Sequence, residues 1–321
     1  MFGNSSPNRS CVNTTAQIAA ALAGRYLIER ELGEGGMATV LLARDLKNDR
    51  LVAIKVLKPE LSSAIGAERF LSEIRMTAQL SHPRILPLLD SGNGKGLLYF
   101  VMPYFEGETL RQRMDREKQF RIQDALDITR QVADALSYAH SRGIIHRDIK
   151  PENILLADGR AVVADFGVAR AVTTAGDARI TETGVAVGTP TYMSPEQSAA
   201  DRQLDARTDV YSLACVTYEM LVGQPPFVAR NAQALIARRL TETPRPVSAT
   251  RRTIDPGVDA AILKALATAP KDRYKSAKQF VAALGGEPIA TSMPRRKQVI
   301  LAIVLAIILV AVLVVFVSRP V

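Results

Sequence analysis

The chain has 321 residues, 47% of them hydrophobic and 23% charged, with a formal net charge of +9. That length and apolar content suit one large or two ordinary domains with a substantial core and exclude a disordered chain. Only two cysteines, Cys11 and Cys215, argue against a disulfide framework and fit a reducing compartment, while 5% aromatic residues and no zinc-ligand spacing argue against nucleic acid as a partner.

Residues 1–24 are polar and alanine-rich, and the apolar patch from Ile18 to Ala23 is too short for a signal peptide, so they read as a flexible leader. Strand character runs from 26 to 57, broken by Gly33-Glu34-Gly35-Gly36 and resumed at Thr39-Val40-Leu41-Leu42-Ala43. Glycines there let backbone amides approach phosphate oxygens, although such a hairpin taken alone more often only joins two strands. In Leu51–Leu57 the period of two puts Val52, Ile54 and Val56 on one face and Ala53, Lys55 and Leu57 on the other, which aims a lysine into an apolar face. A helix predicted from about Ala67 to Leu80 carries Phe70, Glu73, Thr77 and Leu80 at steps of three and four. Glu73 is then either the buried partner of Lys55 or a surface carboxylate. Leu97–Met102 reads as an apolar strand, and Pro103-Tyr104-Phe105-Glu106-Gly107 as a connector between two lobes where main-chain groups could hold adenine; Pro103 keeps its carbonyl as an acceptor.

Ile122, Ala125, Leu126, Val132, Leu136 and Ala139 recur at near-helical spacing. His146-Arg147-Asp148-Ile149-Lys150-Pro151-Glu152-Asn153 then places a carboxylate, a lysine and a carboxamide on one short stretch, followed by Asp165-Phe166-Gly167. Phosphoryl transfer needs a proton acceptor, a cation and shared metal ligands, which Asp148, Lys150 and the pair Asn153 and Asp165 can supply in that order. The 32 residues from Asp165 to Glu196 are rich in Thr, Gly and Ala, with Thr173, Thr174, Thr181 and Thr183, and Arg147 is a cation on which a phosphothreonine could dock. Asp209 heads an apolar helix from Val210 to Leu221, the position of an N-cap. His82 and His140 have no partners at metal-ligand spacing and read as packing or turn residues. Residues 285–298 form a short basic linker, and Val299–Val317 is an unbroken apolar run of 19 residues, roughly 28 Å as a helix and long enough to cross a bilayer. Arg295, Arg296 and Lys297 before it would keep the preceding domain on the cytoplasmic side, leaving residues 318–321 as an external tail.

In order along the chain, the loop from Gly33 to Val40, Val52-Ala53-Ile54-Lys55, Glu73, the stretch His146–Asn153, Asp165-Phe166-Gly167 and Ser194-Pro195-Glu196 resemble the protein kinases. The likeness is strongest to the bacterial serine/threonine kinases of the eukaryotic-like, or Hanks, type. That resemblance implies an α+β bilobal kinase domain over residues 25–284, with a small antiparallel β lobe plus one main helix at about 25–102 and a larger helical lobe at about 106–284. It implies ATP with magnesium, or manganese, bound by Leu32, Gly33, Glu34, Gly35, Gly36, Val40, Ala53, Lys55, Glu73, Pro103 and Phe105, with Asn153 and Asp165 on the metal. Asp148, Lys150, Asn153 and Thr189 would serve catalysis, Thr181 and Thr183 would be activating phosphorylation sites, Arg273 would pair with Glu196, and Asp209, if not an N-cap, would be a buried brace under the stretch that carries Asp148. The implied protein is a membrane-anchored, single-pass enzyme acting on protein Ser/Thr hydroxyls, and a homodimer would permit phosphorylation in trans. The rival reading is a catalytically silent nucleotide-binding scaffold. Ala38 stands where the family commonly has a third glycine, which predicts a somewhat stiffer loop, and Ser194 where it commonly has alanine.

Overall fold

The computed structural model describes residues 18–166, 190–201 and 203–285. The strand alternation read at Leu51–Leu57 organises the first lobe. Strands β1 (Tyr26–Glu34), β2 (Ala38–Asp45), β3 (Arg50–Leu57), β4 (Asp90–Gly94) and β5 (Leu97–Pro103) form one antiparallel sheet in the order β1-β2-β3-β5-β4. Val52, Ile54 and Val56 join a buried cluster with Leu41, Ala43, Leu97 and Val101 on one face. Ala53 and Leu57 join Ala38, Leu98, Phe100 and Met102 on the other, under Phe70 and Ile74 of a helix. Both faces of β3 are therefore covered, as a central strand with few polar positions requires.

The cover on the first face comes from the leader. Residues 18–22 are helical, and Ile18 and Leu22, four apart and so on one side of the turn, are 1% and 5% exposed against that face. The expectation of a flexible leader as far as residue 24 is thus corrected from residue 18 onward. An apolar sheet face needs a lid, and this patch, too short to be a signal, is long enough to be one. Asp90 holds the join, accepting from Tyr26 Oη at 3.0 Å and pairing with Arg25 at 2.9 Å.

Two helices follow β3 rather than one: α1 (Pro59–Ile65) and α2 (Ala67–Thr77), divided by Gly66 at φ 79°. α2 stops three residues before the predicted end, and Leu80 packs into the core of the second lobe. β4 was not foreseen, because Asp-Ser-Gly-Asn-Gly has no strand propensity and owes its form to pairing with β5.

The second lobe begins with β6 (Glu108–Thr109) and α3 (Leu110–Glu117), whose N-cap Thr109 forms a reciprocal capping box with Gln112. Helix α4 (Ile122–His140) follows the predicted span and buries Ala125, Leu126, Val132, Leu136 and Ala139. β7 (Ile154–Ala157) pairs with β6 on one side and with β8 (Arg160–Val163) on the other in a small antiparallel sheet at the lobe junction. After α5 (Pro195–Ser198) comes α6 (Ala206–Val222), buried on every side from Thr208 onward, with α7 (Ala232–Thr241), α8 (Pro256–Ala265) and α9 (Ala277–Ala283) completing the lobe. A helix apolar all round belongs at a core centre, and α6 packs there against α4, Thr129 Oγ1 meeting Thr217 Oγ1 at 2.9 Å. Among the described residues no helix is long and apolar enough to cross a membrane; the run 299–317, the linker from 286 and the tail lie outside them.

Candidate active site

The stretch from His146 to Asn153 is held from below by one carboxylate. Asp209 has no solvent exposure, accepts the backbone N–H groups of His146 and Arg147 at 2.8 Å each, and lies 2.7 Å from His140 Nε2. Asp205 is the N-cap of α6, so of the two roles open to Asp209 the structure shows the brace. Burial would push the Asp209 carboxyl up, but hydrogen bonding and charge from His140, with the His146 backbone amide behind, hold it below the usual carboxylate range. Arg147, directly before Asp148, is held at φ 68°, a left-handed conformation unusual for a side-chain-bearing residue. His146 is buried too: its Nδ1 accepts from Asp148 N at 3.2 Å and its Nε2 faces the Ala164 carbonyl at 2.9 Å. Those partners require the proton on Nε2, so His146 props the turn. Its ring meets Phe166 edge-on with centroids 4.5 Å apart.

Above this brace the polar groups converge. Asp148 Oδ2 accepts from Lys150 Nζ at 2.6 Å and from Asn153 Nδ2 at 3.0 Å, and Asn153 Nδ2 also reaches the Asp148 carbonyl at 2.8 Å. Asn153 is 5% exposed, so the carboxamide is a fixed strut. Across from it, Asp165 at φ 65° takes the Lys55 ammonium in a short charge-assisted hydrogen bond. Burial alone would raise the Asp165 carboxyl; Lys55 by charge and hydrogen bond, then Lys150 by charge, bring it below the ordinary value. The structure thus brings Lys55, Asp148, Lys150, Asn153 and Asp165 together.

Glu73 stands differently from one of its two readings. Lys55 meets Asp165, whereas Glu73 lines a cavity of about 20 Å³ with Thr77, Ile144 and Arg147. The buried stripe of α2 is Phe70, Ile74 and Thr77, which turns Glu73 to the flank of the helix, toward the turn that carries Asp148.

At the glycine loop, none of Gly33, Gly35, Gly36 or Ala38 has a positive φ. A methyl at Gly33 or Gly36 would meet nothing within 4 Å, so what these glycines provide is open backbone. Ala38 is 3% exposed with its methyl in the core under α2, and its carbonyl accepts from Gly35 N at 2.9 Å. Glu34 pairs with Lys58 at 3.1 Å. Leu32 and Val40 pack against the cluster containing Ala53 and Met102, and Val40 is opposite Lys55 in register. Pro103 ends β5, and Phe105 lies so close to Gly107 that a Cβ there would collide with its ring and with the Leu156 carbonyl. Gly107 is the point where connector and β7 touch.

Residues 190–198 form a strap beside the turn that carries Asp148. Ser194 caps α5 in a box with Gln197, and Gln197 Nε2 donates to the Arg147 carbonyl at 2.7 Å. Glu196 is bidentate to Arg273 at 2.7 and 2.8 Å. Arg111 joins the exposed Glu152 to buried Glu219 and Tyr192. Gln197, Arg111 and Tyr192 carried no signal in the sequence, because their partners lie far away along it. Gly167, Thr173, Thr174, Thr181, Thr183 and Thr189 lie outside the described residues.

Residues 26–283 match the protein kinase domain family. The chain belongs to the protein kinase family. It is 41% identical over 277 residues to the serine/threonine-protein kinase PknB of Mycobacterium tuberculosis, a match covering 83% of this chain and 44% of that protein. It is 38% identical to the serine/threonine-protein kinase pkn3 of Myxococcus xanthus, covering 85% of this chain and 51% of that one. The chain spans about half the length of these curated relatives. The crystal structure of the Mycobacterium tuberculosis PknI kinase domain superposes with a TM-score of 0.66 at 32% identity, covering 82% of this chain and 96% of that one.

Magnesium can be tested against this kinase's own donor set. Among the described residues no group of three or more His, Cys, Asp or Glu could hold a metal. Asn153 Oδ1 and Asp165 Oδ1, however, take no hydrogen bond among the described residues, since the bonds recorded use Asn153 Nδ2 and Asp165 Oδ2. Two hard oxygens fit an ion that draws its remaining ligands from water and nucleotide phosphate.

The kinase's buried and half-buried carboxylates also fix its acid response. Asp165, Asp209 and Glu196 are all held below their ordinary values of 3.8, 3.8 and 4.5. The unfolded chain therefore binds more protons than the folded one as pH falls past those ordinary values, and stability rises with pH in that window. Urea midpoints should be flat from pH 7 to about 5 and fall steadily below about 4.5, as these carboxylates are protonated. A midpoint unchanged at pH 3.5 would contradict the assignment.

Proposed function

We propose that this protein is a serine/threonine protein kinase that transfers the γ-phosphoryl group of ATP, with magnesium, to protein hydroxyls. The observation that carries this reading is Asp148, anchored on one oxygen by Lys150 and Asn153 while Oδ1 takes no bond among the described residues. A carboxylate so held can accept an incoming hydroxyl proton without leaving its place. Lys150, 2.6 Å from it, brings a positive charge to where the phosphoryl changes hands. Lys55 would hold nucleotide phosphates beneath the open backbone of Gly33–Gly36, and Asn153 and Asp165 would hold the magnesium that neutralises phosphate charge. The names of the relatives and Lys150 support serine and threonine as acceptors. Lys55, Asp148 and Asp165 together favour an active enzyme over a silent scaffold.

Two further parts of this reading rest on the sequence. Phosphorylation of Thr181 and Thr183 would supply anions for the Arg147 region and switch the enzyme on. The apolar run 299–317 with its basic flank would anchor the kinase domain to the inner face of the cell membrane.

The test is transfer of labelled phosphate from Mg-ATP by the full chain to mixed acceptor proteins and to itself, after membranes and soluble fraction have been separated. Phosphoserine and phosphothreonine are expected, with the activity in the membrane fraction and label on Thr181 and Thr183. No transfer would replace the enzyme by the scaffold, phosphotyrosine alone would overturn the acceptor class, and soluble activity would remove the anchor.

A further inference from the structure

Arg239 is an anomaly of burial. It sits in the last turn of α7 with a side chain among the largest fully buried ones, 1% exposed. A guanidinium so deep ordinarily faces a carboxylate, because burying an unpaired charge is costly. Here its donors go to neutral oxygens: the carbonyls of Pro190 and Thr191, the latter at 3.1 Å, and Ser198 Oγ at 3.0 Å. Its Nε meets no acceptor in good hydrogen-bond geometry, the neutral Tyr211 hydroxyl being the polar group beside the guanidinium, and no ion pair involves Arg239 among the described residues. Tyr211 and Cys215, which feel the Arg239 charge, return none: burial pushes the Tyr211 hydroxyl well up and the Cys215 thiol up to about 12, so both stay neutral.

The three acceptors are not scattered. Pro190 and Thr191 open the strap and Ser198 closes it, so one planar fork ties both ends of the same turn to α7. On its opposite side the strap is tied to the catalytic turn, through Gln197 Nε2 and the Arg147 carbonyl. A polypeptide bringing its hydroxyl to Asp148 has to run beside that turn, against the strap. The nucleotide-facing groups Lys55 and Asp165 make no contact with Arg239.

We propose that Arg239 is a positioning residue for the protein substrate, fixing the strap 190–198 at the distance from Asp148 that an acceptor polypeptide requires. The proposal rests on the kinase reading above and adds to it a division of labour: Arg239 governs the affinity for the acceptor and leaves nucleotide affinity alone. Arginine suits the task because two terminal nitrogens held apart in a rigid fork reach the three acceptors, where a lysine would have to offer all its donors from a single nitrogen.

The experiment uses the full chain and a synthetic peptide copied from a sequence that the wild-type protein phosphorylates. Steady-state KM values for peptide and for ATP are compared for wild type, Arg239→Lys, Arg239→Met and Ser198→Ala, each checked by thermal melting. Losing the charged fork should raise the peptide KM by about tenfold or more in Arg239→Met, while the KM for ATP stays within about twofold. Arg239→Lys should fall between, and Ser198→Ala, which removes one acceptor of three, should shift the peptide KM by less. If Arg239→Met does not fold, the other two variants decide. Equal changes in both KM values, or none in either, would overturn the proposal, because a merely structural residue does not separate the two substrates. A wild-type protein that transfers no phosphate would overturn the kinase reading and this one with it; an active wild type matched by its variants would overturn this one alone.

Discussion

Asp148→Asn should lower phosphate transfer by about 10²- to 10⁴-fold, the range associated with removing a positioned proton acceptor. The substitution keeps the side-chain shape, so the brace beneath it, with Asp209 accepting at 2.8 Å from both neighbouring amides, has no reason to move. What changes is the chemistry at one atom pair. Lys150 and Asn153 both donate to Asp148 Oδ2, so an asparagine amide would turn its oxygen to them and present an NH₂ group to the acceptor hydroxyl. A donor now stands where a proton must be received, while Lys55 and Asp165 remain as they were. Nucleotide binding by calorimetry should therefore stay within about twofold of wild type while labelled-phosphate transfer collapses. Wild-type rates in this variant would remove Asp148 from its assigned role.

Asp209→Ala should be the most disruptive single change away from the reacting groups, at roughly 3–5 kcal/mol of stability, the range for breaking a buried, charge-assisted arrangement from one side. Two buried amides, those of His146 and Arg147, would lose their acceptor, and His140 would lose its carboxylate. The effect does not end with stability. Arg147 is held at φ 68°, and a non-glycine residue stays in that region only while its surroundings insist on it. Without the carboxylate the turn can relax toward negative φ and carry Asp148 out of register with Lys150 and Asn153. Specific activity of the folded fraction should therefore fall as well, and Asp209→Asn, which keeps an oxygen but not the charge, should lie between. Urea denaturation and activity per folded molecule would check both parts; a stability loss at full specific activity would reduce Asp209 to a packing residue.

The contrast between what sequence reading reached and what it missed follows the range of the interactions. β3 was legible because alternation is local, and its two faces do enter two different clusters. α4 and α6 were legible for the same reason, with boundaries off by a few residues where caps such as Asp205 decide. The convergence of Lys55, Asp148, Lys150, Asn153 and Asp165 could be named only through the order of motifs, since nothing local says that residue 55 will meet residue 165. Where only local spacing was available, it left two readings open: Glu73 falls on a helical stripe with Phe70 and Thr77, yet the helix turned a little and buried Ile74 instead. β4 was invisible because pairing, not composition, makes it a strand. Arg239 was invisible because an arginine in a helix looks like a solvated surface residue until the fold closes over it.

The helical turn at residues 18–22 bears on where this kinase can be cut. The family match begins at residue 26, after Ile18 and Leu22 have already taken their places over β2 and β3. A catalytic fragment trimmed to the match would uncover Leu41, Ile54 and Val56 on an otherwise finished sheet, an oily patch inviting self-association. The unit of homology and the unit that shields its own surface are different stretches of this polypeptide, and the second begins at least eight residues earlier.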